Sequence, residues 1–557
     1  MTSDIVPFKD VSEKIALRFL QTAVLVDDKA GYPGDEKPKA DLNAPATGGL
    51  NVPSIPKMVH ACPTTTGPQA GASQVVNTFD AKAVVDAFAR NGIICAVVKP
   101  MGEDSVWNQV KELVRRSDVL IFDWEINGSK EKAVDVIDKL VKYELTIGNR
   151  LRLIIIYTEE PQIATIPGNI KKKLQESQGI EFIIDSSDPF SLSHDNITFV
   201  VLAKEHARVP PEYFHRRVAI KDLPERVVKE FCKSTSGLIT NVMLESLSVL
   251  RDNTQMMITN IRPSLDYAYL SHRALLPNPD DAMVHAIDIV ISEFHAVLDD
   301  NEVGKVTDFN AISSWLESNI GDANIQFSVT DGTKFTITKN ELKDWLRSGI
   351  SQSKWYGGLK EKDQNRVRNH SHAVLTGVFR KDADKGELLD CEFARITSLV
   401  SRYSNSEKKP YLRLGSVVKH YGDNFNQEYL LCIQPRCDSV RIEGPRTFHF
   451  LSLKMVDNEP FHIVVCDDGA EIKLRLNLSM FESKSFSFSP PNGSQDKVIR
   501  AVGCEDCMSF IADDGTVLKW IAELKTPQAQ RIANNLAAKM CRVGLDESEW
   551  LRISAKE

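Results

Sequence analysis

Asp27 and Asp28, then Asp123, Thr158 and Lys204, are the residues of this 557-residue chain with the most chemistry in reach. Each closes an apolar run: TAVLV leads into the acidic pair, VLIF into Asp123, LRLIIIYT ends on Thr158 and ITFVVLAK on Lys204. Three carboxylates in one place repel, and each resists ionising unless a cation is present. Oxygen-only ligands with room for water suit Mg²⁺, which takes one or two carboxylates and a phosphate oxygen. Such a cation would neutralise an incoming phosphoryl group. Asp123 could then attack as a carboxylate nucleophile and form an acyl phosphate, with the Thr158 hydroxyl and Lys204 ammonium on the remaining phosphoryl oxygens. Taken singly, strand-end Asp and Thr are common caps and Lys204 is a solvated charge. The weight rests on all four positions, in this order, on successive strands.

Residues so far apart meet only on a scaffold that aligns strand ends. The apolar runs are continuous and not alternating, which predicts a parallel sheet covered on both faces. Between them lie helical patterns: FDAKAVVDAFARNG with Ala83, Val84, Ala87 and Phe88 on one face, SVWNQVKELVRRS, SKEKAVDVIDKLVKYE and NIKKKLQES. With GIICAVVKP as a further strand, five strands and intervening helices predict a flavodoxin-like, doubly wound α/β domain. Its ligands belong at the carboxyl ends of the strands. Residues 1–215 are assigned to this domain, with a Pro-, Gly- and Lys-rich loop insertion at 29–78. Residues 216–300 read as helical and 301–405 as mixed α/β, with a hairpin at 327–338 marked by a DG pair. Residues 406–557 read as a β-rich small barrel or sandwich, closed by the helix TPQAQRIANNLAAKMCRVG.

Composition narrows the function classes. The chain is 42% hydrophobic and 26% charged with formal net charge -8, so broad binding to nucleic acid or an anionic membrane is not expected. Apolar runs stay below the roughly 18 to 20 residues of a membrane span. The N-terminus lacks a signal-peptide pattern, and ten cysteines show no framework spacing. The expectation is a cytoplasmic protein.

The motif set resembles the receiver domain of bacterial response regulators over about residues 20 to 215. That resemblance implies Asp28 as direct Mg²⁺ ligand, Asp27 as its acidic partner, and Asp123 as phosphoacceptor. It also implies a backbone carbonyl of Glu125 in the metal shell, Thr158 as the switch hydroxyl and Lys204 as the phosphoryl-pairing lysine. A sensor histidine kinase is the implied partner. The chain departs from the family pattern at Glu205, where proline usually follows the lysine, at Val201, where an aromatic is common, and at Asn127, where proline often stands. Extra sequence follows the acidic pair, and GIEFIIDSSDPFSLSHDN precedes the last strand. This divergent form resembles the receiver-like proteins of Detocs-type phage-defence systems. There, one receiver carries a toxic effector and another absorbs stray phosphoryl groups; the absence of an enzyme signature after residue 215 fits the second, with a receiver-effector as a further partner.

Other signals carry less. Cys504 and Cys507 form a CxxC without the second pair that zinc requires. Cys432 and Cys437 are expected in a β core, and His370 and His372 on the surface. No GxSxG, HExxH or P-loop motif occurs. Two alternatives stay open: an unrecognised effector activity in the C-terminal part, and a phosphatase of the haloacid-dehalogenase class. The latter would use D-W-E at 123–125 as its opening motif and Asp299-Asp300 as a late acidic pair.

Overall fold

The computed structural model describes residues 6–32, 79–100, 106–148, 150–321, 324–329, 332–368, 372–380, 386–401, 409–421, 427–457, 461–478, 482–490, 497–504 and 507–540. Most of the expected insertion at 29–78, and His370, lie outside them. The chain divides into two compact units, residues 1–318 and 319–557.

The first unit is built on strands β1 (Thr22–Val26), β2 (Ile94–Val98), β3 (Val119–Phe122), β4 (Arg152–Thr158), β5 (Ile183–Ile184), β6 (Ser191–His194), β7 (Ile197–Lys204) and β8 (Arg217–Val218). Their order is β2-β1-β3-β4-β7-β6-β5, with β8 beside the end of β7. The five strands foreseen from sequence are mutually parallel in the doubly wound order 2-1-3-4-5. The extra segment before the last strand forms an antiparallel extension, β5 on β6 and β6 on β7. It gives β7 a neighbour on the side where an ordinary sheet of this kind would end.

Both faces are covered, as the unbroken apolar runs require. One face packs against α3 (Val106–Arg116), α4 (Lys130–Thr146) and α5 (Ile166–Gln178), through Val110, Val114, Ile137, Leu140, Ile170 and Leu174. The other packs against α1 (Phe8–Phe19), α2 (Ala81–Arg90) and α6 (Leu223–Thr235), through Ala16, Val84, Phe88, Val227 and Phe231. At the amino end of the sheet the fully buried Glu144 carboxylate is gripped by Arg152 Nε at 2.7 Å and Arg150 Nη2 at 3.0 Å. Arg152 also donates to the carbonyls of Ser117 and Val114. The buried charges are thus paired and hydrogen-bonded, the condition for tolerating them. Four more α-helices follow: α7 (Leu238–Asn260), α8 (Asp266–Leu275), α9 (Asp281–Asp300) and α10 (Phe309–Asn319). No described helix is long and apolar enough to cross a membrane.

In the second unit, the strands Ile325–Ser328 and Lys334–Ile337 pair antiparallel at the expected hairpin. The larger sheet is antiparallel and takes in β11 (Ser416–Tyr421), β12 (Gln427–Cys432), β13 (Arg446–Met455), β14 (Ile463–Asp467), β15 (Ala470–Leu476), β16 (Lys484–Phe488), β17 (Ser509–Ile511) and β18 (Val517–Glu523), where β9 and β10 denote the hairpin strands. The path is β14-β15-β13-β12-β11-β18-β17, with β16 on β13. Asp468 and Gly469 join β14 to β15 with φ of 50° and 80°, the positive values a type I′ turn demands. Asp467 beside them reaches Lys419 of β11 and Lys519 of β18, so the sheet curls enough for strands far apart in its order to meet. A helix over Thr526–Met540 follows the last strand. Cys432 is fully buried in the core, but Cys437 corrects the sequence reading: it sits exposed in a short 3₁₀ turn after Pro435. Cys504 and Cys507 are joined as a disulfide.

Candidate functional site

The strand register decides where the chemistry collects. Val26 lies level with Phe122, and Phe122 with Ile156, so Asp27 and Asp123 leave β1 and β3 at the same height. The ladder continues past the last apolar residue. The Asp123 N–H donates to the Val26 carbonyl at 3.0 Å and the Asp27 N–H to the Val98 carbonyl at 3.1 Å. Thr158 is paired with Ala203, which puts Lys204 one step beyond it on the neighbouring strand. Adjacent strands are about 4.8 Å apart, so all of these residues share one carboxyl edge.

Side chains close the group. Lys204 Nζ donates to Asp27 Oδ2 and to Asp123 Oδ2, both at 2.7 Å. Asp27, Asp123, Thr158 and Lys204 are all buried, while Asp28 is half-buried. Carboxylate oxygens of Asp27, Asp28 and Asp123 lie within 4.8 Å of one another. Asp27 Oδ1 accepts from the Lys29 N–H at 2.8 Å. Among the described residues Asp123 Oδ1 accepts only a 3.4 Å hydrogen bond, from the Glu125 N–H, which leaves it the freer of the two Asp123 oxygens. Thr158 Oγ1 accepts from the Glu160 N–H at 3.2 Å, and the Glu160 carboxylate itself pairs with Lys130 at 2.5 Å. The structure therefore gathers every sequence-predicted side chain at one edge. Glu125, whose backbone carbonyl was expected to serve, follows on an exposed turn.

That turn replaces the missing proline. Asn127 and Gly128 have φ of 51° and 70°, and Ile126 and Ser129 exchange both backbone hydrogen bonds at 3.1 Å. Asn-Gly supplies the two left-handed residues that such a tight turn needs. Ser129 then caps α4 by accepting from the Lys132 N–H. Among the described residues no peptide bond is cis, so Lys204–Glu205 is trans.

Electrostatics fit a divalent cation. Burial raises the Asp27 pKa; the Lys204 charge opposes that and the nearby Asp123 adds to it, with a net rise. Burial alone would lower the Lys204 pKa, but Asp123 and then Asp27 outweigh it and hold the ammonium above its ordinary range. With all groups ionised, three carboxylates and one ammonium leave two negative charges uncompensated. Asp28 Oδ1 is buried and has no hydrogen-bond partner among the described residues, an orphaned acceptor of the kind a metal ion satisfies. The donor set is all oxygen, as Mg²⁺ prefers.

Two contacts escaped sequence reasoning. The Phe79 ring lies 4.6 Å from Lys204 Nζ and packs edge-on against Tyr157 at 6.2 Å. The Tyr157 hydroxyl donates to the Val218 carbonyl at 2.7 Å. Phe79 is far from the other site residues in sequence and belongs to no motif; it arrives because its N–H donates to the Lys29 carbonyl at 2.9 Å, beside the acidic pair. Val201, where the aromatic was missed, is completely buried against the α3–α5 face. Asp299 and Asp300 end α9 as exposed residues.

A family model described as a response receiver domain matches residues 19–209, the segment that holds this site. No curated protein matches the chain. The match supports reading residues 19–209 as a divergent receiver domain with a phosphoacceptor role in signalling, which implies a histidine kinase or another phosphodonor as its source.

Proposed function

We propose that the chain is a cytoplasmic response-regulator-like protein that takes a phosphoryl group from a sensor histidine kinase onto Asp123. In this reading it buffers or regulates a phage-defence two-component system of the Detocs type, alongside a receiver-effector protein. It is not an enzyme beyond its own phosphotransfer and autodephosphorylation. Residues 1–215 act as the receiver, followed by helical, mixed and β-rich segments with boundaries near 300 and 405. The observation that carries the proposal is the meeting of the Asp27, Asp28 and Asp123 carboxylates at one carboxyl edge, with Lys204 bonded to Asp27 and Asp123.

Asp27, Asp28, Asp123 and the Glu125 carbonyl would hold Mg²⁺, which supplies charge neutralisation for the phosphoryl oxygens. An Asp123 carboxylate oxygen forms the new P–O bond while the P–N bond to the donor imidazole breaks, and the imidazole leaves after taking a proton. Lys204, already oriented by Asp27, can follow the charge from the carboxylate to a phosphoryl oxygen. The Thr158 hydroxyl donates to another. The buried Val201, lacking a ring, gives the switch little to move. The phosphatase alternative is less well supported, because two strands precede Asp123 and Asp299-Asp300 end a helix.

Incubation with acetyl phosphate and Mg²⁺, followed by intact-mass analysis, tests the reading. One phosphoryl group per chain is expected, absent in Asp123→Asn. Multiple turnover of phosphate esters would instead favour the phosphatase, and no labelling with either acetyl phosphate or a phosphorylated kinase would refute the phosphoacceptor role. Glu160 offers a second check. Its backbone N–H donates to Thr158 Oγ1 and its carboxylate pairs with Lys130; in this reading that carboxylate helps to position, or repels, the attacking water, so Glu160→Ala should change the acyl-phosphate lifetime by roughly threefold or more (~0.7 kcal/mol). An unaltered decay rate would remove Glu160 from the chemistry.

A further inference from the structure

Helices α7 and α9 pack against each other but leave broad apolar faces uncovered. On α9, Met283, Ile287, Val290 and Phe294 recur at four-three-four spacing, and they are 55, 61, 39 and 41% exposed. Val284 and Ile291 flank this seam and are exposed too. The opposite side carries His285, Asp288, Ser292 and His295. Of the twenty residues of α9 only Ala282 is buried. An apolar stripe one residue wider than a two-helix seam is the mark of a helix inside a bundle.

Helix α7 repeats the pattern. Leu244, Ser248 and Val249 are buried, whereas Ile239, Met243 and Leu247, four residues apart, are exposed. Together the two helices expose on the order of 1,000 Å² of apolar side chain, above the few hundred usual on a monomer and matching the ~800 Å² per partner of a stable interface. An uncharged stripe offers no sign for a charged partner to complement. A face of matching apolar stripes is self-complementary about a two-fold axis, where each residue meets its equivalent's neighbour.

We propose that the α7–α9 pair is a homodimer interface, completed as a four-helix bundle by the same two helices of a second copy. This does not depend on the phosphoacceptor reading, since none of the seam residues lies at the strand-end site.

Light scattering on the full-length chain after gel filtration tests it. The wild type should run at twice the 62.3 kDa chain mass. The Ile287→Glu, Phe294→Glu double variant should weaken association more than about 30-fold and run at one chain mass with an unaltered circular dichroism spectrum. Should that variant misfold, Ile287→Ser alone should still shift the equilibrium towards the single chain. Asp288→Ala, on the polar side, should remain dimeric. A wild type of one chain mass at tens of micromolar overturns the proposal, as does a dimer that the seam variants leave intact. A one-chain mass combined with a lowered melting temperature of the double variant would assign the face to an intrachain contact, and also overturns it.

Discussion

Lys204→Met is expected to destabilise the first unit by about 3–5 kcal/mol at neutral pH, the usual cost of removing one partner from a buried ion pair. Methionine keeps the length and the apolar stem of the side chain, so the loss is electrostatic more than steric. The ammonium now answers two buried carboxylates at 2.7 Å; without it Asp27 and Asp123 face each other, with Asp28 close by. The sign of the pH dependence follows from the two shifts. Lys204 has its folded pKa raised, so its contribution is complete below the unfolded value of about 10.4 and fades only as pH rises through the folded one. Asp27 also has a raised folded pKa, so its protonated form is favoured in the fold and its ionisation costs stability as pH rises. In the variant that cost grows, and the deficit should therefore shrink as pH falls from 7 towards 4. Millimolar Mg²⁺ should shrink it as well. Urea melts at both pH values, with and without Mg²⁺, would read this. An equal deficit in all four conditions would reduce Lys204 to a packing role.

The same variant should also lose most phosphoryl transfer from acetyl phosphate, because no other cation among the described side chains bonds to the Asp123 carboxylate. That expectation separates two jobs of one residue. In the resting site Lys204 offsets carboxylates; once a phosphoryl group is attached, the same ammonium has a stronger anion within reach. A site whose internal cation is shared with its acceptor is held ready, but it is also short of positive charge. The orphaned Asp28 Oδ1 shows where the shortage falls.

Much of this site was legible because its signals are strictly local. VLIFD and TAVLVDD each combine a buried strand with a carboxylate at its end, and few physical reasons other than a cation put their three carboxylates on one edge. Parallel pairing was legible for a similar reason: Ile154, Ile155 and Ile156 are all buried, so both faces of β4 had to be covered, and an unbroken apolar run says so. What stayed hidden depends on contacts between distant segments. Phe79 belongs to no motif, and its place over Lys204 follows from a short parallel pairing of Phe79–Asp80 with Ala30–Gly31, just after the acidic pair. Helix α1 was missed since FKDVSEKIALRF has a modest apolar stripe whose partners, α6 and α7, come more than two hundred residues later. Cys437 was misplaced because Pro435, two residues before it, turns the chain out of β12 and lifts the thiol off the core.

The β-rich unit has its own buried charge cluster, and Asp467→Asn is expected to cost about 3–5 kcal/mol there. Asp467 Oδ2 accepts from Lys419 Nζ and from the Tyr429 hydroxyl, both at 2.7 Å, and Oδ1 accepts from Lys519 Nζ at 2.9 Å. Lys419 is itself buried, so an amide in place of the carboxylate strands an ammonium in the core. Lys519 suffers less, because Asp468 Oδ1 also accepts from it at 2.8 Å. Burial alone would raise the Asp467 pKa; the hydrogen bonds from Lys419, Lys519 and Tyr429 overcome it and hold the group at about 2. A depressed carboxylate stabilises the fold above its unfolded pKa of about 3.9, and that stability is lost as pH falls towards the folded value. The wild type should therefore lose part of this unit's stability between about pH 4 and pH 2, while Asp467→Asn, already without it, should show a flatter slope over the same window. Thermal melts followed by near-ultraviolet circular dichroism would compare the two. Parallel acid slopes would mean that Lys419 finds another anion, and that the curl of the sheet rests on its apolar core alone.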